Sequence, residues 1–244
     1  MAYTLGAVDA IVLAGGRGTR LQSVVSDVPK PLAPVNGRPF LDYQLELLHR
    51  SGQVRKVVLA TGHLAHKIEE HYAEHPAPLP LEFVVEKELL GTGGGVANAL
   101  DATSSARVLV LNGDSVFRWD FDVLGAALDA LEDPRGGAAL GVVTVADLSR
   151  YGGVEVEGGR VTAFHEKREG LGGGLINAGV YLFDRAVLET LPRGEVTSLE
   201  HQLFPVLAGQ ARLAAGVHDS DFIDIGLPQS YLAAATILPA LTQP

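Results

Sequence analysis

Cysteine is absent from this chain of 244 residues, and methionine and tryptophan occur once each. Without cysteine there is no disulfide, no thiolate metal site and no cysteine nucleophile, which fits a reducing interior. No run approaches the ~20 apolar residues that a membrane span needs. The N-terminus also lacks a basic stretch ahead of an apolar one. These absences predict a cytoplasmic protein that does not enter a membrane.

Positive charge is scarce, with 19 Lys and Arg against 29 Asp and Glu and a net charge of -10. Generic attraction to nucleic acid or to an anionic membrane is therefore not expected, and an anionic ligand needs a local cluster of cations. The hydrophobic content of 47% and charged content of 20% are ordinary for a globular protein. Because no Ser-, Pro- or charge-rich linker interrupts the chain, we expect one domain over residues 1–244.

Apolar runs and helical patterns alternate through the first half of the chain. Strands are predicted at 8–13, 55–61, 81–86 and 108–111, with helices after Pro39, at 64–74 and at 92–100. Later runs at 139–145, 153–156, 161–166 and 176–183 follow one another closely, before a last strand at 222–225 and a helix at 229–238. This order predicts an α/β fold with a Rossmann-like, mostly parallel mixed sheet flanked by helices. The close runs predict a small antiparallel excursion over one edge.

The loop after the first strand carries the strongest functional signal, Leu13-Ala-Gly-Gly-Arg-Gly-Thr-Arg-Leu21. Glycines let backbone N–H groups approach phosphate oxygens closely. Lys30 follows between two prolines, and residues 15–30 carry a net charge of +2. A positive loop in an acidic protein indicates a polyphosphate ligand, against the alternative of a flexible, solvated surface loop.

Two common phosphate motifs fail here. A Walker loop needs a Gly-Lys pair, which the chain lacks, and the Rossmann G-x-G-x-x-G pattern is broken at Leu21. The pattern L-A-G-G-x-G-T-R-L followed by P-K-P instead resembles the signature of the sugar-1-phosphate nucleotidyltransferases. The resemblance runs from about residue 8 to 234. It includes segments similar to the family's base-binding turn, metal-binding strand ends and sugar segments, namely Leu90-Gly-Thr-Gly-Gly-Gly95, Leu111-Asn-Gly-Asp114, Phe164-His-Glu-Lys167, Ile176-Asn-Ala-Gly-Val-Tyr181 and Phe222-Ile-Asp-Ile-Gly226.

This resemblance implies three catalytic residues, Arg20, Lys30 and Asp114. It also implies a nucleotide site made by the glycine loop, the base turn and the strand end. Its expected members are Leu13, Ala14, Gly15, Gly16, Arg17, Gly18, Thr19, Glu88, Gly91, Thr92, Gly93, Asn112 and Gly113. Either Glu86 or Glu88 could accept the two N–H donors of a guanine edge, which favours GTP; the alternative is that both are solvated beside Lys87.

Asp114 and Asp224 are the expected metal ligands. Carboxylates brought together from distant segments suit Mg²⁺, which takes one or two of them and completes its shell with phosphate oxygens and water. Taken alone, either aspartate could instead be a turn former or a helix cap. The resemblance makes Mg²⁺ the expected cofactor.

The sugar 1-phosphate is expected to contact Glu166, Lys167, Asn177 and Gly179, where the family places its sugar in the antiparallel excursion. Glu166 would accept hydrogen bonds from sugar hydroxyls and Lys167 would hold the phosphate, whereas the alternative is a strand-end ion pair. The partners expected are an NTP and a sugar 1-phosphate, and a homo-oligomer is compatible with the sequence.

Four segments carry a finer resemblance within the family, namely Asn112-Gly-Asp-Ser115, Tyr151-Gly-Gly-Val154, Gly174-Leu-Ile-Asn-Ala-Gly179 and Phe222-Ile-Asp-Ile-Gly226. In combination they look most like the D-glycero-α-D-manno-heptose 1-phosphate guanylyltransferases. The expected reaction is Mg²⁺-dependent transfer of a nucleotidyl group, with GTP favoured, to the heptose 1-phosphate, giving NDP-sugar and pyrophosphate. One alternative is a uridylyl- or guanylyltransferase for another sugar 1-phosphate, such as that of mannose, glucose or N-acetylmuramic acid. The other is a catalytically silent sensor of nucleotide or sugar phosphate.

Overall fold

The structure, a computed structural model, describes residues 8–25, 27–165 and 172–242. Within them the strands are β1 (Val8–Ala14), β2 (Pro34–Val35), β3 (Arg38–Pro39), β4 (Val54–Thr61), β5 (Leu81–Val85), β6 (Arg107–Asn112), β7 (Ser115–Phe117), β8 (Ala138–Val145), β9 (Gly153–Glu157), β10 (Arg160–His165), β11 (Gly174–Asp184), β12 (Leu213–His218) and β13 (Phe222–Asp224). The helices are α1 (Phe40–Arg50), α2 (Ala65–Glu74), α3 (Gly91–Ala99), α4 (Phe121–Asp129), α5 (Arg185–Leu188), α6 (Phe204–Gly209) and α7 (Pro228–Thr242). Within the described part of the chain, no helix combines the length and the apolar character that a membrane span needs.

Nine strands form one mixed sheet in the order β5-β4-β1-β6-β11-β8-β12-β10-β9. β1 pairs in parallel with β4 and with β6, whereas β11 pairs antiparallel with β6 and β8. From β1 the chain first builds β4 and β5 on one side and then crosses to β6 on the other. Strand order therefore reverses between β1 and β6, and open α/β sheets bind ligands outside the carboxyl ends of their strands at such a point.

The run of apolar residues in β1 is buried on both faces of the sheet. Ile11 and Val12 are fully buried and point to opposite faces, where each joins a different core. On the side of Val12, α1 presents Leu41, Leu45 and Leu48, all fully buried. The helical spacing of these leucines predicts that stripe, and the prediction is confirmed.

A second, two-stranded sheet stands beside the first. β7 and β13 pair antiparallel in it, and α7 covers them. Val116, Ile223 and Leu238 meet in the third apolar core, which also receives Phe40 from the start of α1. This packing ties the C-terminal helix to the strand ends that carry the two predicted metal ligands.

The predicted fold class is confirmed, but the antiparallel excursion is smaller than the sequence suggests. β8 and β11 lie inside the main sheet, and the β9–β10 hairpin forms its edge. β12, which lies between β8 and β10, is absent from the strands predicted from the sequence. The middle of this strand is small, Ala214-Ala-Gly216, and α4 packs closely on it: a Cβ at Gly216 would lie 2.8 Å from Leu124 Cδ2. Small residues give a weak strand signal, since β-propensity depends on branched and aromatic side chains.

Candidate active site

A cavity of about 420 Å³ opens at the switch point, where β1 and β6 end. Main-chain and side-chain groups from the glycine loop, the base turn and the turn after β6 line it together. The lining residues are Leu13, Ala14, Gly15, Gly16, Gly18, Thr19, Arg20, Lys30, Pro31, Ala60, Glu86, Leu89, Gly91, Thr92, Asn112, Gly113, Asp114 and Gly226. The structure thus brings together three segments that the sequence analysis singled out separately.

Three of the predicted nucleotide-binding residues lie away from this lining. Arg17 is exposed and borders a smaller neighbouring recess with Leu21 and His63. Glu88 is exposed. Gly93 is buried, and its N–H donates to the carbonyl of Thr197 over 2.8 Å, so it holds the base turn rather than facing the cavity. The remaining ten of the thirteen predicted residues are all in the lining.

Lys30 reaches the cavity from below the glycine loop. Its Nζ lies 2.6 Å from Asp114 Oδ2, and its side chain is 13% exposed. Gly18 has a φ of +59°, and a Cβ there would lie 3.1 Å from Lys30 Cβ. A larger residue would suffer both backbone strain and this close contact, so glycine lets the loop fold directly over the lysine.

The turn after β6 presents Asp114. Gly113 donates its N–H to the carbonyl of Leu13 over 2.9 Å, and a Cβ at Gly113 would lie only 2.5 Å from that oxygen. Asp114 accepts at its own carbonyl from the N–H of Ile225, also over 2.9 Å. The turn is therefore pinned between β1 and the end of β13, and glycine is required where it meets β1.

Asp224 lies beside Asp114 because β13 pairs with β7, which places Asp224 opposite Ser115. Its Oδ1 accepts from the N–H of Gly226 over 2.8 Å. Its Oδ2 accepts from the Tyr151 hydroxyl over 2.6 Å and from Arg150 Nη2 over 3.0 Å. Two hard carboxylates from distant parts of the sequence therefore lie at neighbouring positions, one just before β7 and the other at the end of β13, and this donor set fits Mg²⁺.

Each of these aspartates is paired with a cation in the protein itself, Asp114 with Lys30 and Asp224 with Arg150. Burial, followed by the hydrogen bond to Asp224, raises the pKa of the Tyr151 hydroxyl, which keeps it a donor to that carboxylate. The sequence analysis assigned no role to Arg150 or Tyr151. Their meeting with Asp224 depends on the path of the β8–β9 connection, which no local pattern specifies.

Glu86 follows β5, ahead of the base turn, and lines the cavity. Its carboxylate is wedged between two glycines: a Cβ at Gly95 would lie 2.8 Å from Oε1, and one at Gly15 would lie 3.1 Å from Oε2. Burial raises the pKa of Glu86, although a hydrogen bond from the backbone of Leu90 opposes the rise. Of the two glutamates that the sequence leaves open, Glu86 is therefore the one placed to meet a ligand.

The base turn rests on the segment before α6. Thr92 Oγ1 donates to Glu200 Oε2 over 2.6 Å and accepts from the N–H of Leu199 over 2.9 Å. Glu200 also accepts from the Ser198 hydroxyl over 2.9 Å. Thr92 is held in place by this network, which no sequence motif indicates.

The predicted sugar residues are divided. Glu166 and Lys167 lie outside the described residues. Asn177 and Gly179 are in β11, where the N–H of Gly179 donates to Asn177 Oδ1 over 2.9 Å. Neither residue lines the cavity, but a Cβ at Gly179 would lie 2.6 Å from Ser115 Oγ, so this part of β11 lies against the turn that carries Asp114.

Comparison with known protein families decides the classification. A model of the family described as "Nucleotidyl transferase" matches residues 9–240. The chain belongs to the nucleotidyl transferase family. The resemblance inferred from the glycine loop and the later segments is confirmed.

Relatives of this nucleotidyltransferase include guanylyltransferases. It is 34% identical to the D-glycero-alpha-D-manno-heptose 1-phosphate guanylyltransferase of Aneurinibacillus thermoaerophilus, and the matched region covers 93% of this chain and 96% of that protein. It is 35% identical over 95% of its length to a mannose-1-phosphate guanylyltransferase of Mycobacterium tuberculosis, of which it covers 64%. Among solved structures, HddC from Yersinia pseudotuberculosis complexed with GMP-PN matches with a TM-score of 0.81 and 31% identity, covering 94% of this chain and 98% of that one.

Proposed function

We propose that this nucleotidyltransferase transfers a guanylyl group from GTP to D-glycero-α-D-manno-heptose 1-phosphate, releasing pyrophosphate and GDP-heptose. The observation that carries the proposal is that Lys30 and Asp114 form an ion pair in the lining of the switch-point cavity, with Asp224 close by on β13, opposite Ser115. The heptose and guanine assignments rest on relatives that share about a third of their sequence with this chain over nearly its whole length.

The reaction is a displacement at the α-phosphorus. An oxygen of the sugar phosphate attacks it, the bond to the bridging oxygen breaks, and pyrophosphate leaves with that electron pair. A phosphate monoester has a second pKa of about 6 and is mostly dianionic at neutral pH, so the attacking oxygen needs no general base. The main obstacle is repulsion between two anions, which positioned cations relieve.

Lys30 and Arg20 are the side chains assigned to this electrostatic role. Lys30 is largely buried and held beside Asp114, so it is placed to meet the reacting phosphates. Arg20 is exposed at the cavity wall, where it would bind the departing pyrophosphate. The backbone of Gly15, Gly16 and Gly18 borders the same cavity and supplies N–H groups for the phosphate chain.

Asp114 and Asp224 would hold Mg²⁺, and their oxygen chemistry and neighbouring positions fit it. When bound, this ion acts as a Lewis acid that neutralises charge on the phosphate oxygens. The protein's contribution is to fix the two carboxylates, through the Gly226 N–H and Tyr151 hydroxyl on Asp224 and through the pinned turn on Asp114.

Glu86 would read the base. A carboxylate has only acceptors, and guanine offers two adjacent donors, N1–H and N2–H₂, whereas uracil and thymine offer one donor. The wedged position of Glu86 between Gly15 and Gly95 keeps both oxygens from turning away. This geometry supports GTP as the nucleotide.

The direct test is Mg²⁺-dependent pyrophosphate release, with each NTP crossed against the 1-phosphates of the heptose, mannose, glucose, N-acetylglucosamine and N-acetylmuramic acid. Release with GTP and the heptose phosphate is the expected result. Release with GTP and mannose 1-phosphate would favour the second candidate, a mannose-1-phosphate guanylyltransferase, which the similarity to the mycobacterial relative supports. Folded protein that binds nucleotide but releases no pyrophosphate with any pair would instead be a silent sensor.

The variant Asp114→Asn tests the site in the same assay. We expect it to fold and to lose Mg²⁺-dependent turnover. Asp219→Asn is the matched control, because Asp219 is exposed and borders a different groove. Full activity of Asp114→Asn would contradict the metal assignment.

A further inference from the structure

Gln44 is a buried amide that holds the backbone on both sides of Asp114. It lies in α1 and is only 2% exposed. Its Nε2 donates to the carbonyl of Asn112 over 2.8 Å and to the carbonyl of Ser115 over 2.7 Å. These carbonyls belong to the last residue of β6 and the first of β7, so one side-chain nitrogen spans the turn that presents Asp114.

The chemistry of this contact requires a primary amide. Two carbonyl oxygens that converge on one point need two N–H donors from one atom; a hydroxyl has one donor and an ionised carboxylate has none. A lysine would supply enough donors, but its charge would be buried without a partner. Glutamine is thus the neutral side chain of suitable length that satisfies both carbonyls.

The other end of the amide shows that the contact is specific. Gln44 Oε1 is buried and has no hydrogen-bond partner among the residues that the structure describes. Turning the amide over would bring Oε1 against the two carbonyl oxygens, which offer it no donor. The two bonds to the turn therefore fix the orientation of Gln44, and Gln44 in turn fixes the turn.

The main chain of Leu13 and of Ile225 also holds this turn by hydrogen bonds. Gln44 adds a restraint from the opposite side, by a side chain of α1 whose leucines Leu41, Leu45 and Leu48 are anchored in the core. The direction of the Asp114 carboxylate depends on this backbone, because a single methylene separates the two.

We propose that Gln44 is a positioning residue that orients Asp114 for a divalent cation. The inference rests on the proposed function, in which Asp114 is a metal ligand. Gln44 itself touches neither metal nor substrate. Partners that orient a metal ligand typically change metal affinity by about 10- to 100-fold when they are removed.

The test is Mn²⁺ binding, followed by electron paramagnetic resonance on the full chain. Gln44→Met keeps the length of the side chain and removes both donors, so we expect its Mn²⁺ dissociation constant to rise about 10- to 100-fold. The control is Leu45→Val, which loosens α1 at the next residue without a polar contact to the turn. We expect this control to bind Mn²⁺ as the wild type does.

Gln44→Glu is the second variant, and it keeps the test decisive if Gln44→Met does not fold. Its carboxyl, kept protonated by burial against two carbonyls, has one O–H donor in place of two N–H donors. We expect Mn²⁺ affinity at pH 6 between those of the wild type and Gln44→Met. In turnover, the Mg²⁺ concentration for half-maximal rate should rise in both variants, while GTP binding in EDTA stays unchanged.

The outcomes separate this inference from the proposed function. Unchanged Mn²⁺ affinity in a folded Gln44 variant overturns the inference, even if the wild type releases pyrophosphate. Equal weakening in Leu45→Val also overturns it, because the effect would then be general loss of packing. If the wild type releases no pyrophosphate but Gln44→Met still weakens Mn²⁺ binding, the inference stands and the proposed reaction fails. A wild type that binds no Mn²⁺ overturns the inference and the metal assignment together.

Discussion

The proposed role of Glu86 predicts that Glu86→Gln weakens the recognition of guanine. In the wild type, the carboxylate can accept from both N1–H and N2–H₂. The amide of the variant keeps one oxygen acceptor, but its own N–H₂ group then faces the second N–H donor of guanine. Because Gly15 and Gly95 enclose both oxygens, the side chain has little room to rotate the conflict away.

The size of the effect follows from the charge and number of these bonds. A hydrogen bond to a charged group contributes about 1.5–3 kcal/mol, and a buried donor without a partner costs a similar amount. Losing one bond and opposing two donors should cost about 3 kcal/mol, which is on the order of 100-fold in kcat/KM for GTP. Uracil has one donor beside an acceptor, which an amide can match, so discrimination against UTP should fall.

The assay is pyrophosphate release with GTP, ITP and UTP. Hypoxanthine keeps N1–H and lacks the exocyclic amine, so the wild type should prefer GTP to ITP and Glu86→Gln should lose that preference. Glu88→Gln is the matched control, because it makes the same change at an exposed carboxylate two residues away. Equal GTP-to-ITP ratios in wild type and Glu86→Gln would refute the assignment.

Acid pH should reproduce part of the same effect without a mutation. Burial raises the pKa of Glu86 above its usual value of 4.5, so this carboxyl takes up its proton at a higher pH than an exposed glutamate does. Protonation removes one acceptor from the Glu86 carboxylate. The pH dependence of kcat/KM reports the pKa values of groups in the free enzyme, so this protonation should be visible in kcat/KM. The GTP-to-ITP preference should therefore decline as the pH falls toward the raised pKa, and Glu86→Gln should show no such decline.

Three further changes test other parts of the structure. Lys30→Met should lower kcat/KM about 10²- to 10³-fold, as loss of a positioned charge does, and an unchanged circular dichroism spectrum is the check on folding. Asp224→Asn should raise the Mg²⁺ concentration for half-maximal pyrophosphate release, and normal Mg²⁺ dependence would show that Asp224 is not a ligand. Asp9→Asn should cost about 3 kcal/mol in urea unfolding, because Asp9 is fully buried and accepts from Arg55 and from the backbone of Ser104. Burial opposes ionisation of Asp9, but these hydrogen bonds outweigh it and hold the pKa of Asp9 below the usual 3.8. Their contribution to stability is therefore present above pH 3.8 and is lost as the pH falls through the lowered pKa. The Asn variant should not show this acid-dependent loss of stability.

The parts of the site that sequence predicted well are those whose chemistry is local. The glycine loop, Lys30 and the Asn112-Gly113-Asp114 turn each sit within a short motif, and the fold brings all of them to one cavity. Asp224 could be paired with Asp114 only through family resemblance, since its own surroundings resemble an ordinary turn. Its position opposite Ser115 is a property of strand pairing.

The parts that sequence missed depend on contacts between distant segments. Arg150 and Tyr151, from the β8–β9 connection, contact Asp224, and Gln44 of α1 contacts the backbone of Asn112 at the end of β6. A glutamine within an amphipathic helix gives no signal beyond a polar interruption of the apolar face. That Gln44 is buried on this helix is explained only when the two carbonyls opposite it are known.

The balance of charge at the cavity supports the proposed divalent cation. The loop alone is positive, but Arg20 and Lys30 share the cavity lining with Glu86 and Asp114, and Asp224 nearby is held by Arg150. A triphosphate entering beside these carboxylates would meet about as much negative charge as positive, within a protein whose net charge is -10. A divalent cation held by Asp114 and Asp224 would shift that balance toward positive charge and would free Lys30 to meet phosphate oxygens. The same arrangement that pairs these residues in the protein alone therefore favours nucleotide binding together with the metal over binding of nucleotide by itself.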